Sequence, residues 1–125
     1  MNDIQNREDI EALVNTFYEK VHHDPKLAPV FKMPTEAFEA HLQRTYNFWE
    51  NWLFQTGNYT GGMMWVHLQK NNEHPLTTEL FEHWLAHWFF TTDQLFKGEK
   101  AEFVKSKALE IGQIMNAKFN NQHQK

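Results

Sequence analysis

The stretch NREDIEALVNTFYEKVHHDP, residues 6–25, decides the fold class of this 125-residue chain. Its apolar side chains recur in steps of three, one and four residues, which places them along one stripe of a helix. Asn6 is predicted to cap this helix, and Asp24-Pro25 to end it, because proline cannot continue the hydrogen-bond ladder. The stripe consists of Ile10, Leu13, Val14, Phe17 and Val21.

The second predicted helix follows Pro34, takes Thr35 as its N-cap and ends at Thr56-Gly57. Two neighbouring stripes give it a wide apolar face, which indicates a helix buried between two layers. One stripe carries Phe38, Leu42, Trp49 and Leu53, and the other carries His41, Thr45, Phe48 and Trp52.

A third long helix is predicted from a cap at Thr77 or Thr78 to Lys97-Gly98, and a fourth follows it. Residues 63–70, which lie between two loops, are predicted to form two helical turns. No segment shows the period-two alternation of a strand, so the prediction is an all-α fold in one domain, residues 1–125, with frayed ends at 1–8 and 120–125. The buried residues predicted for the last two helices are Leu80, Phe81, Trp84, Leu85, Trp88, Phe89, Leu95, Phe103, Val104, Ala108, Ile111, Met115 and Phe119.

The charge, composition and motifs of the sequence exclude or disfavour several classes of function. The net charge of −4 and the lack of a Lys/Arg run disfavour a nucleic acid or an anionic membrane as partner. The chain has no cysteine, which excludes disulfides, zinc–thiolate sites and thiol nucleophiles. Its polar beginning lacks a signal-peptide core, and no apolar run is long enough to span a membrane, so a cytoplasmic location is expected. The sequence contains neither a nucleophile elbow nor a phosphate-binding glycine loop, and it identifies no catalytic residue.

The eight histidines invite a metal hypothesis, which the pattern supports weakly. His83 and His87 are spaced i, i+4 and share one helical face, but HWLAH lacks the glutamate of H-E-x-x-H. A solvated polar face is therefore favoured there. His41 and His67 lie among apolar residues, where a hydrogen-bonded core histidine is more common than a ligand. The same pattern leaves Tyr18 as a buried tyrosine bonded to a carbonyl.

Four stretches of the sequence stand in one order and at characteristic separations: FYEKVHHDPKLAPVF (17–31), HLQRTYNFW (41–49), GNYTGGMMWVHL (57–68) and ELFEHW (79–84). In this order they resemble stretches of the group III truncated haemoglobins, and the resemblance extends over residues 10–115. They resemble the family's first long helix and following turn, its distal helix, the loop and short helix with the iron-binding histidine, and the start of the next helix.

The resemblance implies a truncated-globin fold, a two-over-two helical sandwich around haem b. It makes His67 the proximal iron ligand, and it makes Tyr18, His41 and Trp84 the polar distal set. For His41 it leaves three roles open: hydrogen-bond donor, gate that swings to solvent, or sixth iron ligand. Further haem contacts are expected from Phe31, Arg44 (to a propionate), Thr45, Phe48 and Met63.

The implied function is binding of dioxygen and other diatomic ligands: nitric oxide, carbon monoxide or cyanide. Three donors in one dry pocket predict high oxygen affinity. Conversion of nitric oxide to nitrate and peroxide reduction are the implied redox reactions, and either needs an external, unidentified reductant. The alternative is a cofactor-free all-α binding module whose aromatic residues only fill a core.

Overall fold

The computed structural model describes residues 1–57 and 75–120. Within these residues the chain forms four helices and no strand: α1 (Arg7–His23), α2 (Thr35–Phe54), α3 (Thr78–Leu95) and α4 (Glu99–Asn120). α1 packs against both α2 and α3, and α3 pairs with α4. The all-α prediction is confirmed. None of the described helices is long and apolar enough to cross a membrane. The helical turns predicted for 63–70 lie outside the described residues.

Two of the predicted helix caps are present. The Asn6 side chain accepts a hydrogen bond from Asp9 N, and the Thr77 side chain accepts one from Leu80 N. The predicted cap at Thr35 is wrong by one residue, because Pro34 occupies the cap position and Thr35 already belongs to the first turn of α2. That end of α2 has no side-chain cap.

The predicted stripe of α1 is buried along its whole length. At its centre the ring of Phe17 stacks on Trp88 of α3 at 3.9 Å, and Trp49 of α2 meets Trp88 edge-on at 5.5 Å. Three helices therefore share one aromatic core.

The predicted burial of Trp52, on the second apolar stripe of α2, is wrong, because this residue is 44% exposed. Two predicted core residues of α3 and α4 are also corrected, because Phe89 and Phe103 are each 37% exposed. Each directly adjoins a buried residue on its helix, and a step of one residue turns the side chain about 100° away from the core.

The residues before α1 contact the rest of the fold. Ile4 is 2% exposed, and the Asp3 carboxylate accepts hydrogen bonds from Lys100 N and Ala101 N, both at 2.9 Å. Asp3 thus caps α4, whose first N–H groups have no partner within their own helix. Gly98 permits this approach, since a Cβ there would lie 2.5 Å from the Asp3 side chain. At the other end, Asn120 is the last residue of α4, and its side chain donates to Leu76 O.

We expect Asp3→Ala to lower the free energy of unfolding by about 1 kcal/mol, the usual effect of losing a helix cap. Burial raises the pKa of Asp3, but hydrogen bonds from Lys100, Ala101 and Ile4 outweigh it and leave the pKa below its usual value. The contribution of the Asp3 cap to the free energy of unfolding is therefore present above about pH 4 and is lost as the pH falls further. Urea unfolding at several pH values measures it, with exposed Asn2→Ala as control. Equal stability of the two variants at neutral pH would refute the remote cap.

Candidate functional site

Tyr18 and His41, two of the predicted distal residues, are in direct contact. Tyr18 follows Phe17 on the inner side of α1, and His41 lies in the second turn of α2. Tyr18 Oη and His41 Nε2 are 2.5 Å apart, and the residues are 5% and 9% exposed. A short hydrogen bond thus joins the two helices inside the protein.

Aromatic rings surround this Tyr18–His41 pair. The Tyr18 ring meets Phe31 at 5.5 Å and Phe38 at 5.4 Å, both edge-on. Phe31 also lies 5.9 Å from the His41 ring, and Phe38 is 4.9 Å from His22. Sequence reasoning missed Phe38 and His22 as neighbours of the pair. Their spacing carried a signal, because His22 stands one helical turn after Tyr18 and Phe38 stands three residues before His41.

The surroundings keep the Tyr18 phenol neutral. Burial raises its pKa well above the ordinary value, and the hydrogen bond with Thr45 and the positive charge of Arg44 offset this only in part. The phenol therefore always has a proton to donate. A neutral imidazole can accept that proton or donate its own, so the pair can exchange donor and acceptor roles. Thr45 is itself anchored, with Oγ1 donating to His41 O at 2.9 Å.

Trp84, the third predicted distal residue, is half-buried on α3. Its ring packs edge-on against Phe17 at 6.4 Å and against Trp88 at 6.1 Å. The Phe17 ring in turn meets Tyr18 at 4.9 Å. Trp84 is therefore one ring removed from the Tyr18–His41 pair and makes no hydrogen bond to it. No residue in the described part of the chain accepts a hydrogen bond from its indole N–H.

The other predicted contact residues fall into three groups. Phe31, Thr45 and Phe48 are buried, and Phe48 meets the Trp49 ring at 5.0 Å. Arg44 is exposed on α2 and forms no ion pair with any residue in 1–57 or 75–120, so its guanidinium is available to an acidic group. Met63 and His67 lie outside the described residues.

His83 and His87 do not form a solvated polar face, and that prediction is corrected. His83 Nδ1 and His87 Nε2 lie 2.9 Å and 2.7 Å from one oxygen, Oδ2 of Asp24, whose side chain is 8% exposed. Burial raises the pKa of Asp24, but hydrogen bonds from both rings and from Lys26 N outweigh it and hold the pKa far below its usual range. Over the described ranges, no three His, Cys, Asp or Glu residues are placed to hold a metal ion.

An open cleft of about 580 Å³ adjoins the Tyr18–His41 pair from outside. It shares Phe31 and Phe38 with the pair's aromatic surroundings. The cleft is lined by His22, Ala28, Pro29, Phe31, Lys32, Met33, Thr35 and Phe38.

Comparisons with known proteins identify the family. No protein-family model matches the chain. A group III truncated haemoglobin of Campylobacter jejuni is 30% identical over 120 residues, which cover 93% of this chain and 89% of the relative. This chain belongs to the group III truncated haemoglobins. The crystal structure of a group III truncated haemoglobin from Campylobacter jejuni superposes with a TM-score of 0.81 at 27% identity, covering 95% of each chain.

The truncated-globin fold predicted for this truncated haemoglobin is confirmed by that superposition. A globin family implies a haem cofactor, and the described residues fit one. The buried phenol of Tyr18 and imidazole of His41 lie beside aromatic rings, and ligand pockets are lined mainly by apolar and aromatic side chains with a few polar groups among them. The exposed Arg44 guanidinium follows His41 on the same helix and suits a carboxylate at the rim.

Proposed function

We propose that this truncated haemoglobin holds haem b through His67 and binds diatomic ligands beside Tyr18, His41 and Trp84. The observation that supports it most is the Tyr18–His41 hydrogen bond within aromatic walls. A core that served only for packing would not need a buried phenol and a buried imidazole. A buried donor pair is costly unless it is hydrogen-bonded, and it stabilises a polar guest strongly because the local dielectric is low.

When bound, haem supplies the iron atom to which oxygen, nitric oxide, carbon monoxide or cyanide attaches. The protein's contribution comes from its side chains. Tyr18 stays protonated and donates its O–H to the ligand, and His41 can then turn from accepting that proton to donating its own. Trp84 can only donate. Three donors around one ligand predict high oxygen affinity and slow release.

The remaining residues would hold the cofactor. Arg44 is proposed to pair with a propionate, since guanidinium and carboxylate form strong bidentate hydrogen bonds. His67 is proposed as the proximal ligand, with its second ring nitrogen bonded to a carbonyl or water that fixes the tautomer. Packing contacts with the porphyrin are proposed for Phe31, Thr45, Phe48 and Met63.

A second candidate function is redox turnover, favoured by the buried Tyr18–His41 hydrogen bond, because hydrogen-bond donors in a distal pocket influence whether a ligand is only bound or is also activated. Conversion of nitric oxide and oxygen to nitrate would consume one electron, which a bound haem would supply, and peroxide reduction would also consume electrons. Both therefore need an external reductant.

Mixing nitric oxide with the reduced, oxygen-loaded protein tests both functions. We expect one equivalent of nitrate per haem, after which the reaction stops until a reductant is added. Nitrate that keeps forming without a reductant would contradict the redox proposal. A reduced, haem-loaded protein whose absorbance spectrum does not respond to oxygen or carbon monoxide would contradict the binding proposal.

A further inference from the structure

The open cleft beside the Tyr18–His41 pair lies where the chain passes from α1 to α2. Its lining comes from His22 in the last turn of α1, from the segment between the two helices, and from Thr35 and Phe38 in the first turn of α2. Sites for small organic molecules usually have volumes of about 300–1,000 Å³. The cleft, at about 580 Å³, is therefore large enough for one such molecule.

The segment between α1 and α2 holds its own shape. Ala28 N donates to Asp24 O at 2.8 Å, and Val30 N donates to Leu27 O at 3.0 Å. Leu27 and Val30 are 2% and 3% exposed, so both side chains anchor the segment in the core. The wall of the cleft is thus formed without an occupant, as is usual for small-molecule sites.

The floor of the cleft is apolar and aromatic. Phe31 is 8% exposed, and Met33 is partly buried against the hydrophobic core. The rings of Phe31 and Phe38 also meet the Tyr18 ring edge-on, at 5.5 Å and 5.4 Å. An occupant of the cleft would therefore rest on the rings that enclose the Tyr18–His41 pair, and a flat apolar group suits such a floor.

The rim of the cleft carries groups that favour a negative charge. Lys32 is exposed, and it forms no ion pair with an acid in residues 1–57 or 75–120. His22 is also exposed, its ring lies 4.9 Å from Phe38, and it has no hydrogen-bond partner within the same ranges. The described lining includes no aspartate or glutamate.

The start of α2 adds to this preference. Thr35 lines the cleft in the first turn of the helix, and no side chain caps the N–H groups there. Free N–H groups at a helix N-terminus favour an anion. Glu36, the acid of the same turn, is exposed and is not part of the lining.

We propose that this cleft is a second ligand site, which takes a small molecule with a flat apolar body and one carboxylate. The body lies on Phe31 and Phe38, and the carboxylate pairs with Lys32. Of the described lining residues, Phe31 alone is also a proposed haem contact. Binding at the cleft goes beyond the proposed function and does not depend on it.

The two parts of the ligand contribute unequally. An ion pair between exposed groups strengthens binding by only about 1.4- to 5-fold, because water and salt screen it. The apolar body must therefore supply most of the affinity, and the carboxylate supplies selectivity. We expect acetate and inorganic phosphate, which have no flat apolar body, not to compete for the cleft.

The test uses 2-naphthoate as probe and titrates it calorimetrically into the haem-loaded ferrous protein saturated with carbon monoxide. We expect one molecule to bind per chain with a Kd below about 1 mM, as the usual affinity per atom of a small ligand allows. Lys32→Met should weaken binding by about threefold, and Lys32→Glu by roughly tenfold, because the second variant replaces attraction with repulsion. Lys118→Met, at an exposed position near the end of α4, is the matched control and should bind like the wild type.

A second probe isolates the charge. The neutral 2-naphthylmethanol has the same ring system, so it should bind more weakly than 2-naphthoate to the wild type and equally well to Lys32→Met. The position of the probe is measured by nuclear magnetic resonance on the same diamagnetic protein. We expect 2-naphthoate to shift the amide resonances of Ala28 and Thr35. Thr35→Trp, which places a large ring in the cleft from an exposed position, should abolish both the shifts and the heat of binding.

Each other outcome overturns the inference. Titrations without saturable binding, or shifts confined to residues away from the cleft, would show that the cleft is not a ligand site. Equal affinity of the wild type, Lys32→Met and Lys32→Glu for 2-naphthoate would refute the carboxylate preference. Binding that occurs only before haemin is added would make the cleft part of the haem site. A chain that takes up no haem overturns the proposed function instead, and the same titration of that chain still decides whether the cleft binds the probe.

Discussion

His67→Ala is expected to abolish stable haem binding, the largest effect of any single substitution in this chain. No cysteine is present to serve as a replacement ligand, and the imidazole would supply the one permanent bond from protein to iron. We expect the purified variant to be nearly colourless, and added free imidazole to restore a haem spectrum by occupying the vacated space. Absorbance spectra of both proteins after incubation with one equivalent of haemin measure the effect.

The matched control is His123→Ala, which removes a histidine from the polar tail predicted at residues 120–125 and should bind haem like the wild type. If His67→Ala kept its haem with an unchanged coordination spectrum, another residue would be the proximal ligand. His41 would then be the first residue to replace, since it is the buried histidine beside the proposed ligand pocket.

Tyr18→Phe is expected to speed oxygen dissociation by about 10- to 150-fold. The substitution removes one hydroxyl and keeps the ring that packs on Phe31 and Phe38. A hydrogen bond to a charged group contributes about 1.5–3 kcal/mol, and each 1.4 kcal/mol is a factor of ten in the rate. Stopped-flow displacement of oxygen by carbon monoxide measures the rate directly.

Tyr46→Phe is the matched control for this prediction. Tyr46 is also buried between α1 and α2, and its hydroxyl hydrogen-bonds to Asn15. Tyr46→Phe therefore removes a similar interhelical hydrogen bond without changing Tyr18 or His41, and the rate of oxygen dissociation should be unaffected. An unaltered rate in Tyr18→Phe would assign the donor role to Trp84 or His41. Equal acceleration in both variants would point to a general loosening of the α1–α2 contact.

The helices were predictable because their signals are local. The stripe of α1 and the caps at Asn6 and Thr77 lie within a few residues of the structure that they determine. Asp3 was not predictable, because the N–H groups that it caps are 97 and 98 residues away in the sequence. A short polar stretch before a helix reads as a frayed end unless its distant partner is known.

In the candidate site, too, only features with a local sequence signal were predictable. The spacing of His83 and His87 correctly placed them on one helical face, but their partner Asp24 lies 59 and 63 residues away in the sequence, directly after α1. For Tyr18 and His41 the hydrophobic pattern predicted only two buried polar residues. Their assignment to one pocket came from the resemblance to truncated haemoglobins, and their contact in the structure accords with it. The proximal assignment of His67 remains a proposal.

Haemin titration of this protein tests the central proposal most directly, since every proposed ligand role depends on a bound haem. The account predicts a Soret band that grows linearly and saturates at one haemin per chain, and that shifts when the reduced protein meets carbon monoxide. A protein that folds but develops no Soret band at any haemin concentration would contradict the account. It would then be a cofactor-free helical module whose aromatic core, built around Phe17, Trp49 and Trp88, is complete without haem.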